Sequence, residues 1–145
     1  MQIEIIEKPL TLDLHGFSGN AWNKDYAGMA FKLSGKMWEV VKGGGIKNKG
    51  KNIWVYDANE SVFAGVELDE PAQDNSLLER KTIVLEKYAY FKHVGPYNLI
   101  KHSGLAMIEE IGHQGLKTVL PSIEIYGHWD KDESKLETEL IMRLL

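Results

Sequence analysis

Apolar and polar positions follow the same order in both halves of the chain. Each half begins with a segment in which every second residue is apolar, and continues with one whose apolar residues are three or four positions apart. Two more alternating segments end each half. Alternation with a period of two predicts a β-strand, whereas a period of about 3.6 predicts an amphipathic α-helix. The pattern therefore predicts a strand-helix-strand-strand unit that occurs twice.

The predicted elements of the first unit are a strand at 11–14, a helix from Tyr26 to Val41, and closing strands at 52–57 and 62–68. Those of the second unit are a long strand from Thr82 on to Phe91, a helix from Pro96 to Gly112, and closing strands at 122–126 and 137–144. Glycines 43–45 follow the first helix and proline begins the second, which are favourable positions for these residue types.

The two units match at an offset of about 71 residues, as in the pairs Leu12 with Ile83 and Phe17 with Tyr88. In the second strand of each unit the offset is 70, which makes Trp54 the counterpart of Glu124. Apolar helix stripes and one-sided strands must cover each other. The sequence thus predicts an α+β fold with an antiparallel sheet, two helices on one face and a ligand groove on the other.

Length and composition favour one domain. The chain has 145 residues, of which 43% are hydrophobic and 26% charged, and half of it would make a marginal domain. We therefore predict a single domain over 1–145, with pseudo-repeats at about 1–70 and 77–145 joined by the polar connector 69–76.

Charge and residue usage argue against several classes of protein. A net charge of −4, with one basic cluster in a glycine-rich loop, does not predict nucleic-acid binding. The chain has no cysteine and its five histidines lack metal-ligand spacing, so we expect no metal and no cofactor. The absence of a signal-like or membrane-spanning apolar run predicts a cytoplasmic protein that does not enter a membrane.

Glu124 is the most informative candidate because it lies between two isoleucines in a predicted central strand. If the helices cover the face of Ile53 and Ile123, alternation sends Glu124 to the opposite face. The aromatic residues expected beside it on that face are Trp54, Tyr56, Tyr88, Tyr90, Tyr126 and Phe17.

Two interpretations of Glu124 stay open at this point. It is a structural glutamate that is solvated or bonded to tyrosine, or it anchors a ligand. A partly buried carboxylate needs donors, a proton or a cation. Aromatic rings around it favour a lipophilic cation, since such rings attract cations.

Three segments together resemble a known family: 88–97 (Tyr-Ala-Tyr-Phe-Lys-His-Val-Gly-Pro-Tyr), 124–126 (Glu-Ile-Tyr) and 138–140 (Thr-Glu-Leu). The chain resembles the GyrI-like small-molecule-binding domain over essentially its whole length. That domain also forms the effector-binding part of certain AraC-type and MerR-type multidrug regulators. The resemblance implies a twofold-repeated domain whose groove binds bulky apolar cations, with the glutamate at 124 at its base.

This sequence departs from the regulators because it has no helix-turn-helix region, which predicts a stand-alone binder of small molecules. Two other functions stay open. The first is hydrolysis of reactive electrophilic molecules, in which Glu124 would activate water. The sequence does not decide whether the protein is an enzyme. The second is an inhibitor or adaptor that binds a protein partner, as the gyrase-inhibitor branch of the resemblance implies.

Overall fold

The computed structural model describes residues 1–72 and 76–145, so the middle of the predicted connector 69–76 lies outside the described residues. The strands are β1 (Glu4–Ile6), β2 (Leu10–Asn20), β3 (Asn52–Asp57), β4 (Ser61–Val66), β5 (Glu79–Leu85), β6 (Tyr88–Val94), β7 (Thr118–Tyr126) and β8 (Glu137–Leu144). The helices are α1 (Tyr26–Gly43) and α2 (Ile100–His113), with short 3₁₀ turns at Tyr97–Leu99 and Glu133–Lys135.

All eight strands form one antiparallel sheet in the order β1-β6-β8-β7-β3-β4-β2-β5. Its six inner strands are symmetric about the boundary between β7 and β3. One side contains the unit β2-α1-β3-β4, and the other contains β6-α2-β7-β8. The predicted α+β fold with a repeated unit is therefore confirmed.

The edge strands are exchanged between the two units. β1, from the start of the chain, pairs with β6 of the second unit, and β5 pairs with β2 of the first. Leu12 and Ile83, which the sequence matches as repeat equivalents, are direct partners in the β2-β5 ladder.

Both helices lie on one face of the sheet, as predicted. α1 begins after Asp25, whose carboxylate accepts the Gly28 backbone N–H at 3.0 Å as an N-cap. The helix packs its apolar stripe on β2 and β4, whereas α2 packs Met107 and Ile111 toward β6 and β8. The central strands β3 and β7 lie between the two helices.

The other face of the sheet buries its own side chains. On this face, one cluster joins residues from both halves of the strand order, namely Leu12, Leu14, Ile53, Ile123, Ile141 and their neighbours. A sheet can bury one face in this way only if it curls strongly. The aliphatic face is thus a core in itself, and it needs no helices to cover it.

The predicted position of the groove is therefore wrong. Trp54, Tyr56 and the row to which Glu124 belongs lie on the helix-covered face, and the groove opens on that same face between α1 and α2. The physical reason is that the β-branched residues pack against each other inside the curl, which leaves the aromatic face to the helices.

The predicted placement of Tyr88 and Tyr90 on the face of Glu124 is also wrong. Tyr90 is paired with Ile141, and Ile141 with Ile123, so the two tyrosines share the aliphatic face. The prediction carried strand alternation from Leu85 into residue 88. The strand is interrupted at 86–87, and this interruption reverses which residues face each side.

Candidate functional site

A row of side chains crosses the helix-covered face at the symmetry centre of the sheet. In order across the strands it contains Phe91, Leu140, Glu124, Trp54, Ala64 and Phe17. The central pair, Glu124 on β7 and Trp54 on β3, are the equivalent positions of the two units. The position equivalent to Glu124 in the first unit is thus an indole and not a second carboxylate. This row of the sheet therefore contains one carboxylate, and the indole lies directly beside it.

Above this pair is a cavity of about 760 Å³, which we call the aromatic cavity. Its floor contains Trp54, Tyr56, Glu124 and Tyr126. Its walls come from α1, from the segment that starts α2, and from the loop after β7: Phe31, Ser34, Gly35, Trp38, Tyr97, Ile100, Lys101, His128 and Trp129. The cavity exists because α1 and α2 cover the outer strands and leave β3 and β7 open.

Aromatic rings in the cavity contact each other directly. The ring centroids of Trp54 and Tyr126 are 4.6 Å apart with planes at 57°, and those of Tyr97 and Tyr126 are 5.6 Å apart with planes at 84°. Such tilted and edge-on pairs stabilise one another and hold their ring orientations. At the rim, Phe31 and Trp129 are 74% and 75% exposed. The cavity thus offers fixed rings at its base and accessible rings at its mouth.

The carboxyl group of Glu124 lies in a place that disfavours its charge. Burial raises its pKa above the ordinary value, while the nearby phenols of Tyr56 and Tyr126 oppose this rise. Burial and the nearby carboxylate raise the pKa of both tyrosines, so their hydroxyl groups remain protonated donors at neutral pH. A ligand cation would supply the charge compensation that the two phenols provide only in part.

Asn52, at the start of β3, fixes one wall of the cavity. Its Oδ1 accepts hydrogen bonds from the Ser34 hydroxyl at 2.8 Å and from the Trp38 indole N–H at 2.7 Å. Both donors are on α1, so this amide ties the helix to the floor strand. Trp38 itself forms part of the cavity wall.

Replacing Asn52 with alanine should destabilise the protein by about 1–3 kcal/mol, because the indole N–H of Trp38 would lose its acceptor in a partly buried place. Urea unfolding of Asn52→Ala, Trp38→Phe and the double variant measures this. We expect a coupling energy of about 1 kcal/mol between the two residues. Strictly additive losses would show that the bond contributes nothing.

The structure brings together four of the predicted site residues, namely Glu124, Trp54, Tyr56 and Tyr126, and separates three others. Tyr88 is buried in the aliphatic core. Tyr90 donates its hydroxyl hydrogen to Glu139 Oε1 at 2.7 Å on that same face. Phe17 shares the face of Glu124 but is buried beneath α1, where the Lys36 Nζ lies 4.2 Å from its ring centroid.

Sequence reasoning missed the residues that the helices and the loop after β7 contribute, chiefly Phe31, Tyr97, Ile100, Lys101 and Trp129. One signal was available for Tyr97, since it completes the Gly-Pro-Tyr segment at 95–97. Trp22, shortly before α1, is 79% exposed and does not line the cavity.

Within 1–72 and 76–145, no three metal-ligating side chains are grouped as a metal site would require. No helix in this described part of the chain is long and apolar enough to cross a membrane.

A family model of the GyrI-like small molecule binding domain matches residues 51–145, which is most of the chain. The chain belongs to this family. The matched part of this GyrI-like protein includes Trp54, Tyr56, Glu124 and Tyr126, whereas the wall formed by α1 precedes it. No curated protein sequence matches the chain significantly.

Solved structures share the fold of this GyrI-like chain at low sequence identity. The C-terminal domain of EcmrR has a TM-score of 0.77 at 13% identity, with 99% of this chain and 97% of that chain covered. SAV2435 bound to tetraphenylphosphonium has a TM-score of 0.67 at 18% identity, with 100% and 94% covered. A hydrolase from Listeria innocua has a TM-score of 0.58 at 13% identity, with 99% and 92% covered. At these identities the likeness concerns the fold.

Proposed function

We propose that the protein binds bulky apolar cations in the aromatic cavity, with the carboxylate of Glu124 as the counter-charge. The observation that carries this proposal is a single partly buried carboxylate on the floor of a large cavity whose other floor residues are aromatic. A small molecule that is apolar and cationic at once fits both properties of this floor.

The volume and chemistry of the cavity suit such a guest. Ligand cavities are commonly about 300–1,000 Å³ and mostly apolar with a few polar groups, and the aromatic cavity has about 760 Å³. Rings of Trp54 and Tyr126 attract a cation by their electron-rich faces, with up to ~2 kcal/mol for each desolvated contact. SAV2435, which shares the fold, binds tetraphenylphosphonium, a molecule of this chemical class.

Hydrolysis is supported less well by the described side chains. An acid–base mechanism needs a second titrating group positioned near the first. Asp57, Lys101 and His128 lie around the same space, but no hydrogen bond or ion pair of the described residues joins any of them to Glu124. Tyr56 and Tyr126 are held protonated by their raised pKa, which makes them poor bases. Binding without chemistry is therefore the function that we propose.

Titration with tetraphenylphosphonium tests this proposal. We expect saturable binding with a dissociation constant in the micromolar range, about −8 kcal/mol. Tryptophan fluorescence should change on binding, because Trp38, Trp54 and Trp129 line the cavity. Isothermal titration calorimetry gives the stoichiometry, which should be one ligand per chain.

A pair of tryptophan variants controls for general effects on the protein. Trp54→Ala should weaken tetraphenylphosphonium binding at least tenfold, whereas Trp22→Ala, which removes an exposed indole outside the cavity, should leave it unchanged. Equal affinities for the two variants, or no saturation below about 1 mM, would contradict the proposed function.

A further inference from the structure

A second cavity of about 700 Å³ adjoins the aromatic cavity and lies beneath α2. The two cavities share four lining residues: Tyr56, Ile100, Lys101 and Glu124. Glu124 therefore stands at the boundary between them, and a ligand whose charge lies at Glu124 can extend in both directions. We call the second space the aliphatic cavity. Like the aromatic cavity, it lies on the helix-covered face of the sheet and not on the aliphatic face.

The aliphatic cavity differs from its neighbour in chemistry. Half of its 14 lining residues have aliphatic or methionine side chains, among them Leu105, Ile108, Leu120, Leu140 and Met142. Leu105 and Ile108 of α2 are 58% and 50% exposed. A ligand that covers apolar side chains exposed around a cavity removes them from water, which lowers the free energy of the complex. Their flexible aliphatic surface suits an alkyl chain better than a stack of rings.

We propose that the aliphatic cavity holds an alkyl arm of the same ligand whose cationic centre lies at Glu124 and whose aryl groups fill the aromatic cavity. The preferred ligand class is thus an amphiphilic onium ion with aryl groups on one side and an alkyl chain on the other. This inference rests on the proposed function and adds to it the shape of the ligand.

Gly104 determines how much room α2 leaves for that arm. It lies in the helix and lines the aliphatic cavity. Apart from its chain neighbours and the backbone of its own helix, the atom nearest to a Cβ built on it would be the methyl carbon of Met142, at 4.0 Å. A larger side chain here would occupy the cavity without forcing the backbone to move. Replacing a glycine inside a helix also favours the helix itself.

Gly112 provides a matched control on the same helix. A Cβ added there meets nothing within 4 Å, and the residue lines neither cavity. Gly104→Leu and Gly112→Leu therefore make the same chemical change, and only the first fills the aliphatic cavity. Gly104→Ala is a milder third variant that adds one carbon atom at the same place.

The experiment measures dissociation constants of methyl-, butyl- and octyltriphenylphosphonium by calorimetry. Each fully buried methylene increases affinity up to about fourfold, so octyl should bind at least tenfold more tightly than butyl in the wild-type protein and in Gly112→Leu. In Gly104→Leu this ratio should fall below threefold, with Gly104→Ala in between, while the affinity for the methyl compound changes less than twofold.

Equal octyl-to-butyl ratios in Gly104→Leu and the wild-type protein, or no dependence on chain length in the wild-type protein, would overturn this inference. Either result with normal binding of the methyl compound would leave the proposed function standing. If the methyl compound itself fails to bind, the proposed function fails as well, so the two failures are distinguishable.

Discussion

Replacing Glu124 with glutamine lowers the affinity for methyltriphenylphosphonium roughly 30-fold to 100-fold. The variant keeps the size of the side chain and removes its charge beneath the ligand. A unit charge at roughly 6 Å in a medium of effective dielectric constant about 20 contributes about 2–3 kcal/mol, which corresponds to this change in the dissociation constant. Calorimetry on the wild-type protein and on Glu124→Gln measures it directly.

The neutral compound triphenylphosphine oxide separates charge from shape. Its affinity should change less than threefold in Glu124→Gln, because its rings contact the same aromatic side chains. Glu139→Gln is the matched protein control, since Glu139 also lies beside a tyrosine and accepts from the Tyr90 hydroxyl, but on the aliphatic face. An equal loss for cation and neutral compound, or an equal loss in Glu139→Gln, would show that Glu124 is not the charge anchor.

The pH dependence of binding follows from the same carboxyl group. Burial raises the pKa of Glu124. As the pH is lowered, cation affinity should therefore begin to fall at a higher pH than it would with an exposed glutamate. The bound cation favours the ionised form and lowers this pKa, and binding should therefore release protons below neutral pH. In Glu124→Gln the affinity should not depend on pH in this range.

The stability of the ligand-free protein should decrease as the pH rises, whereas its affinity for a cation increases. Because the pKa of Glu124 is higher in the folded than in the unfolded state, the folded protein binds more protons between the two values. The stability contributed by the protonated group is complete below about pH 4.3 and is lost as the pH rises through the raised pKa. The gain in melting temperature of Glu124→Gln over the wild-type protein should thus grow with pH.

Local sequence patterns predicted both helices and the closing strands of the repeat, but they joined β5 and β6 into one strand from Thr82 to Phe91. Period and end signals predicted a helix from Tyr26 to Val41, which the structure extends to Gly43, and a last strand at 137–144, because glycines and alternation act within a few residues. They also placed Glu124 and Trp54 at equivalent positions, which the β3-β7 ladder confirms. Each of these predictions depends on neighbours along the chain.

The orientation of the sheet could not be predicted in the same way. Alternation separates two faces but does not say which face the helices cover. That choice depends on the curl of the sheet, which brings Leu12 of β2 and Ile141 of β8 into one cluster. The interruption at 86–87 then reversed the side for Tyr88 and Tyr90. Residues such as Tyr97 and Trp129 reach the site through helix and loop positions that no strand pattern contains.

Two glycines that face each other in neighbouring strands permit the strong curl of the sheet. Gly16 of β2 is the direct partner of Gly65 of β4. A Cβ on Gly16 would overlap the carbonyl oxygen of Ala64 and lie 2.6 Å from the Cα of Gly65. Backbones that approach this closely leave no space for a side chain, and glycines at such positions allow a sheet to bend.

Gly16→Ala should therefore cost about 3 kcal/mol or more of stability, since the added methyl group meets rigid backbone and not a movable side chain. Gly19→Ala in the same strand is the matched control. Its Cβ would meet the flexible ends of Met29 and Leu33 at 3.0–3.3 Å, and we expect a loss below about 1.5 kcal/mol. Urea unfolding of both variants measures the difference. If the free energy of unfolding of Gly16→Ala is within about 1 kcal/mol of the wild-type value, the close approach of β2 and β4 is not what maintains the curl. That curl is what turns the aromatic face, and with it Glu124, toward the helices.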